Sequence, residues 1–368
     1  MLSTDATILT HQSDAQKRMR EYSDLFEKLD IIVYTKSAGQ LPIHLTDQLS
    51  IYPTNTRTPI LYFWQAYQLA RQIIRNHPNT IVSCQDPFET GIVGWLLKIW
   101  HRAPLHIQIH TDFFSPYFSA ESWKNKGRVF LAKRLIARAD RIRVVSQRIQ
   151  ESLVKQLAID AEKIDTLPIF VDVQKIENAK IKVDLHSRYL EYDVRILMAS
   201  RLTQEKNIEL AIHAVAHLAK EYPKLLLLIV GEGPEKQKLE ILSQHLQMEK
   251  NVRFEPWTDD LASYYKTSDI FLLTSNYEGY GRTVVEAMAA GTLVVMTDVG
   301  LAGEVLIDDL DGLVIPVQDQ SALEKALQIV LTDAERRSNY VREATRVITS
   351  YGDKKTYLRA YHAMFSHL

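Results

Sequence analysis

Cysteine is nearly absent: Cys84 is the only one in 368 residues. One thiol cannot staple a chain to itself, so stability has to come from packed cores, and the chain suits a reducing compartment. Cys84 ends an apolar run at 80–84, which reads as a buried strand rather than as a nucleophile's setting. Long apolar runs are missing as well. None approaches ~18 residues, so no transmembrane helix is expected. The N-terminus lacks the basic–apolar–small pattern of a signal peptide, and the chain reads as cytoplasmic. There is no short-period repeat and no low-complexity tract. A surplus of charge is lacking too. The net value is −1, and no aromatics interleave with basic residues as a stacking platform, so nucleic acid is not an expected partner.

What is present is an ordinary soluble balance, 46% hydrophobic and 24% charged. The length allows two domains of roughly 150–200 residues. Charge is unevenly spread. Up to residue 190, 25 Lys and Arg face 19 Asp and Glu; beyond it, 19 face 26. The basic excess gathers at 124–148, so one half is expected to meet an anionic surface or substrate.

Short aliphatic runs alternate with helical patterns, which argues for βα units and parallel sheets. Strands are expected at 31–34, 80–84, 105–110 and 141–145, then at 194–200, 225–230, 252–256, 270–274, 293–297 and 312–317. Helices are expected at 14–28, 58–76, 89–101, 126–139 and 148–157, then at 207–222, 234–246, 260–266, 282–290, 321–331, 333–349 and 354–367. The turn-rich, charged stretch 175–193 reads as a linker. In open parallel sheets ligands bind outside the carboxyl ends of the strands. His110, the loop from Arg201 to Lys206, the turn from Gly231 to Pro234 and the loop from Asn276 to Gly281 all fall there.

Residues 276–291, NYEGYGRTVVEAMAAG, follow an apolar run and open a helix. A glycine-containing loop before a helix start is an anion site, because the first-turn amides are unpaired and carry partial positive charge. Gly279 and Gly281 allow close backbone approach. Glu278 lies in the loop and Glu286 just over one turn into the helix, where it could accept bonds from two ribose hydroxyls. A lone glutamate there reads as a complement to the helix dipole. That reading leaves the rest of the string unaccounted for.

This string resembles the E-x7-E signature of retaining glycosyltransferases with GT-B architecture, in particular the large fourth family, the glycosyl transferases group 1. The likeness extends over most of 192–318. Residues 199–207, ASRLTQEKN, resemble the family's G-R-L-x-x-E-K-N element, and 231–234, GEGP, its G-x-G-P turn. The resemblance implies an α/β fold of two facing Rossmann-like domains with parallel sheets and a cleft between them. The acceptor-side domain would span 1–187 and the donor domain 188–350, with a helix at 351–368 crossing back. It implies that Arg201 and Lys206 hold the donor diphosphate and offset the leaving-group charge. Glu278 would contact the transferred sugar and Glu286 the ribose. Gly279, Tyr280 and Gly281 would form the donor loop, and the amides near Arg282, Thr283 and Val284 would complete the phosphate cradle. Gly231, Gly233 and the loop at Trp257 would flank the base, and His110 would sit near the anomeric carbon.

The implied reaction moves a sugar from a UDP- or GDP-sugar to an acceptor hydroxyl with retention. It uses no metal and no cofactor beyond the donor as co-substrate. The acceptor would be a glycan, a lipid or a small molecule. Two rivals share the architecture: a nucleotide-sugar epimerase, and a non-catalytic nucleotide-sugar-binding protein. Relatives usually begin with an apolar strand and a glycine-rich loop. Here Ser3, Thr4 and Asp5 follow Met1 and Leu2, so a stunted first strand is expected, with Ser13 and Arg18 where the glycine loop normally sits. Segment 122–143 mixes Trp123 and Phe130 with Lys124, Lys126, Arg128, Lys133, Arg134 and Arg138. It reads either as a basic amphipathic surface for the inner face of a membrane or as a two-faced helix with a solvated basic side.

Overall fold

Aliphatic runs buried on both faces assemble into two parallel sheets, as continuous rather than alternating hydrophobic strands should. The computed structural model describes residues 1–36, 39–56, 58–366 and 368. The chain divides into two units. Unit 1 is Met1–Pro168 with Lys354–Leu368, and unit 2 is Ile169–Asp353.

Unit 1 holds strands β1 (Leu2–Ser3), β2 (Leu29–Val33), β3 (Ile43–His44), β4 (Leu49–Pro53), β5 (Val82–Cys84), β6 (Leu105–Ile109), β7 (Arg141–Val144) and β8 (Ile164–Thr166). Their order is β3-β4-β2-β1-β5-β6-β7-β8. All pairings are parallel except β3 with β4. The first strand is two residues long, yet it sits mid-sheet, with Leu2 opposite both Ile32 and Cys84. Strands β3, β4 and β8 escape the sequence reading. Ser50 and Pro53 interrupt the β-branched pattern of β4, and its place is set by register against β2.

The helix Lys354–Ala363 belongs to unit 1. Tyr361 is fully buried and stacks on Tyr22 at 4.2 Å. Arg143 donates to the Tyr357 hydroxyl at 2.9 Å, and Lys354 to Glu21 at 2.8 Å. His367, the last residue expected in this helix, lies outside the described residues.

Unit 2 holds β9 (Val194–Ala199), β10 (Leu225–Val230), β11 (Val252–Glu255), β12 (Ile270–Leu273), β13 (Leu293–Thr297) and β14 (Leu313–Ile315), all parallel. The order β11-β10-β9-β12-β13-β14 is the doubly wound 3-2-1-4-5-6 arrangement. It reverses direction between β9 and β12. A core built mainly of Leu, Ile, Val and Ala packs on one face of this sheet, and the alternate strand residues Leu197, Leu226, Leu228, Phe271 and Val294 are buried on the other.

The unit boundary falls at Pro168, not near 187. The expected linker is instead fastened to unit 2. Lys182 N–H donates to Ser263 Oγ at 2.9 Å, Leu185 N–H to Thr267 Oγ1 at 3.1 Å, and Arg188 pairs with Glu255 at 3.2 Å. Polar anchoring of this kind leaves no hydrophobic period to read.

Candidate active site

The reversal of strand order in unit 2 opens a crevice at the carboxyl ends of β9 and β12, and the two loops leaving those ends carry the charged residues. The loop after β9 turns through the 3-10 helix Gln204–Lys206 into Asn207, which takes a left-handed conformation (φ 45°) that Asn tolerates. This turn points Lys206 at the other loop. Its Nζ donates to Glu278 Oε1 at 2.5 Å, with only 17% and 15% of the two side chains exposed. Ser275 Oγ donates to the same carboxylate oxygen at 2.8 Å. The loops are laced together. Asn276 N–H donates to Glu205 O at 2.7 Å, and Thr274 Oγ1 to Lys206 O at 2.9 Å. Arg201 stays at the rim, 79% exposed and 3.7 Å from Glu205.

Helix Arg282–Ala289 starts from Gly281 at φ +101°, a conformation open to glycine, and Gly281 brings no side chain to the first-turn amides. Gly279, Tyr280 and Gly281 are buried. Tyr280 O accepts from Leu301 N–H at 2.8 Å. Of the three amides expected to cradle phosphate, that of Val284 is already engaged, donating to Gly281 O at 2.9 Å in a tight first turn. Glu286 is held on both oxygens, by Arg282 Nε at 2.8 Å and by the Tyr265 hydroxyl at 3.1 Å. Burial raises its carboxyl above the usual range, and Arg282 and Tyr265 oppose that rise. Sequence reasoning misses Ser275 and Tyr265. Ser275 adjoins the motif and was within reach, whereas Tyr265 comes from another helix with no spacing signal.

Gly231 and Gly233 serve a close backbone crossing. A Cβ on Gly231 would lie 1.9 Å from Ser200 O, and one on Gly233 would lie 2.2 Å from Leu202 O. Leu202 N–H donates to Glu232 O at 2.9 Å, which fixes the turn on the β9 loop. Trp257 follows β11 and is half exposed.

In unit 1, His110 directly follows β6, and its Nε2 lies 3.2 Å from Oε1 of Gln85, which directly follows β5. Burial, then Arg143 and Arg18, hold its ring neutral, with the pKa pushed down to about 3. His106, fully buried on the same strand and bonded to Ser83 Oγ at 3.0 Å, is pushed down to about 3 for the same first reason. Buried Cys84 donates to Thr90 O at 3.3 Å, and burial raises its thiol far from thiolate formation.

A pH dependence follows from His106. Unfolded, it titrates near 6.5, so between that value and about 3 the unfolded chain binds the extra proton. Stability is therefore expected to fall as pH drops below 6.5, by up to about 1.4 kcal/mol per pH unit for this residue, with His110 acting in the same sense. Melting temperature against pH checks it. His106→Gln should flatten the acid decline, and an equally steep decline in that variant would refute the assignment.

Helix Trp123–Ile136 turns Trp123 and Phe130 outward, 85% and 61% exposed, along a stripe with Lys126, Lys133 and Arg134. Lys126 sits over the Trp123 ring at 4.5 Å and Arg134 over Phe130 at 3.6 Å. No helix among the described residues is long and apolar enough to cross a membrane, and no three metal-ligating side chains converge among them.

Two doubly wound parallel sheets, one with a cation–carboxylate pair at its switch point, define a GT-B-type architecture, and solved structures share it. Sucrose-phosphate synthase from Thermosynechococcus elongatus superposes with a TM-score of 0.79 at 18% identity, covering 97% of this chain and 94% of that one. The Anabaena protein HepE, solved with UDP and glucose, gives 0.77 at 18% identity, covering 100% and 98%. At that identity the likeness is one of fold. In sequence, the family model described as glycosyl transferases group 1 matches residues 189–347, and that described as glycosyltransferase family 4 matches 18–175. The chain belongs to this family of GT-B glycosyltransferases. Among its relatives are the alpha-monoglucosyldiacylglycerol synthase of Streptococcus pneumoniae, 25% identical over 64% of this chain and 55% of that protein. A D-inositol 3-phosphate glycosyltransferase of Corynebacterium kroppenstedtii is 27% identical over 76% and 63%. The chain thus matches under two thirds of the length of these relatives.

Proposed function

We propose that this chain transfers a glycosyl unit from a nucleoside-diphosphate sugar to an acceptor hydroxyl, with retention at the anomeric carbon and without a catalytic metal. The observation that carries the reading is the pair of Lys206 and Glu278 at the switch point of unit 2, beside the helix start at Arg282. Lys206 supplies fixed positive charge where a leaving diphosphate would gather negative charge, which lowers the barrier electrostatically. Glu278 is then placed to accept from sugar hydroxyls. The bond from the anomeric carbon to the phosphate oxygen breaks, the acceptor oxygen bonds the same face, and the departing phosphate takes the acceptor's proton. Glu286 takes the ribose. The complex of HepE with UDP favours a UDP-sugar over a GDP-sugar. We place the acceptor at the end of β6, where neutral His110 orients a hydroxyl without adding charge.

A mass-spectrometric product assay with a panel of UDP- and GDP-sugars and glycan, lipid and small-molecule acceptors tests the reading. The expected products are free nucleoside diphosphate and an α- or β-linked glycoside matching the donor, undiminished by chelator. Isomerised sugar formed without acceptor would favour the epimerase, and binding without turnover across the panel would favour the binding protein.

A second element concerns the membrane. A solvated basic helix face does not account for a tryptophan 85% exposed among cations. We therefore propose that the stripe of Trp123, Lys126, Phe130, Lys133 and Arg134 rests on anionic lipid. Vesicles containing phosphatidylglycerol should sediment the protein, and phosphatidylcholine vesicles should not. The double substitution Trp123→Ala and Phe130→Ala is expected to lower partitioning about tenfold or more, and unchanged partitioning would remove the stripe from that role.

A further inference from the structure

Tyr265 belongs to helix Leu261–Thr267, outside every motif recognised above. It is 1% exposed, and its hydroxyl reaches out of the core to Glu286 Oε2 at 3.1 Å. Its ring meets Phe271 edge-on at 5.4 Å, and its carbonyl accepts from Thr292 Oγ1 at 2.5 Å and from Ser268 Oγ at 3.1 Å. The ring is thus anchored on its face and on its backbone, so the hydroxyl position is fixed by the core. Among the described residues Glu286 by contrast has one other side-chain donor, Arg282, whose side chain is half exposed and one turn away on the same helix. A long, half-solvated guanidinium holds a carboxylate loosely, because its own rotamers are not packed. A buried phenol holds it tightly.

We infer that Tyr265 is a positioning residue for ribose recognition, fixing the rotamer of Glu286 so that its outward lone pairs meet the two ribose hydroxyls of the donor. The inference rests on the ribose role proposed for Glu286. One phenol bond uses one lone pair of Oε2, and Arg282 uses one of Oε1. Each carboxylate oxygen accepts a second bond, so one acceptor site per oxygen is left for a vicinal diol. Discrimination between a ribonucleotide and its deoxy analogue then depends on how firmly that carboxylate is held.

The test is calorimetric binding of UDP, GDP and ADP to the full chain, continued with the tightest of the three and its 2′,3′-dideoxy form, which carries neither ribose hydroxyl. For Tyr265→Phe, affinity for the ribonucleotide is expected to drop about tenfold, the size of one hydrogen bond to a charged group. Affinity for the dideoxy form should stay within about twofold of the wild-type value. Donor KM should rise with kcat little changed, because ribose is bound equally in ground and transition states. Thr292→Val, which loosens the anchor of the ring from outside the site, should give the same pattern at smaller size and stands in if the phenylalanine variant folds poorly. Glu286→Gln separates the two ideas. If it loses the ribose preference and Tyr265→Phe does not, the Tyr265 role is overturned and the Glu286 role survives. If Glu286→Gln weakens ribo and dideoxy forms equally, the ribose role itself fails. A Tyr265→Phe protein that is equally weak on both forms marks a purely structural side chain and overturns the inference.

Discussion

Lys206→Ala is expected to cut turnover about 10²–10³-fold in a protein that still folds. The size is that of removing one fixed donor from developing negative charge in a site shielded from water. Lys206 is rigidly placed. It leaves a 3-10 turn, its carbonyl accepts from Thr274 Oγ1, and its Nζ reaches Glu278 at 2.5 Å. The substitution removes one partner of a largely buried ion pair, which by itself destabilises a protein. Ser275 Oγ, 2.8 Å from the same carboxylate oxygen, remains to satisfy Glu278, so the stability cost should be modest, about 1–2 kcal/mol. Lys206→Arg keeps the charge and should recover part of the rate. Steady-state kinetics beside thermal melts decide the matter. A folded alanine variant with near-wild-type kcat would remove Lys206 from the chemistry.

Gly231→Ala is expected to cost about 3–5 kcal/mol and to abolish measurable transfer, although the residue bears no chemistry. A methyl group there would lie 1.9 Å from the carbonyl oxygen of Ser200, which is backbone and has no rotamer to yield. Either the turn lifts off the β9 loop, losing the bond from Leu202 N–H to Glu232 O, or the β9 loop moves. Strain and overpacking of this kind stand among the largest single-residue penalties. The displaced loop carries Arg201 and, five residues on, Lys206, so activity goes with stability. Gly233→Ala, with its Cβ 2.2 Å from Leu202 O, should behave alike. Gly352→Ala, which meets nothing within 4 Å, is the control. Denaturant unfolding of the three proteins measures the effect, and a Gly231→Ala unfolding free energy within about 1 kcal/mol of wild type would contradict the crossing as described.

Much of the candidate site is legible in the sequence. The loop residues Arg201, Lys206, Glu278 and Glu286 were readable because each element is local: an aliphatic strand, a glycine-containing turn, a helix start. Tyr265 was not. It approaches Glu286 from another helix, and a buried tyrosine within SYYK looks like core packing. Segment 175–193 reads as a linker because its fastening to unit 2 runs through backbone amides and the hydroxyls of Ser263 and Thr267, which leave no hydrophobic period. Strand β4 escaped because Ser50 and Pro53 are acceptable only in register with β2, next to β3. That the Val284 amide bonds Gly281 O, and so is engaged within the helix, depends on how tightly the first helical turn closes, which residue spacing does not set.

By itself, the sequence determined the class of fold, the run of βα units and the identity of the loops that bear charge, since these depend on periodicity and on spacing within a few residues. Only the tertiary structure decided which loops share a site. Lys206 and Glu278 are separated by 72 residues and three strands of a sheet whose order is not the order of the chain. They meet because helices crossing over in one sense build β10 and β11 outward from one side of β9, after which the chain returns to lay β12 against its other side. That reversal leaves the ends of β9 and β12 facing one crevice.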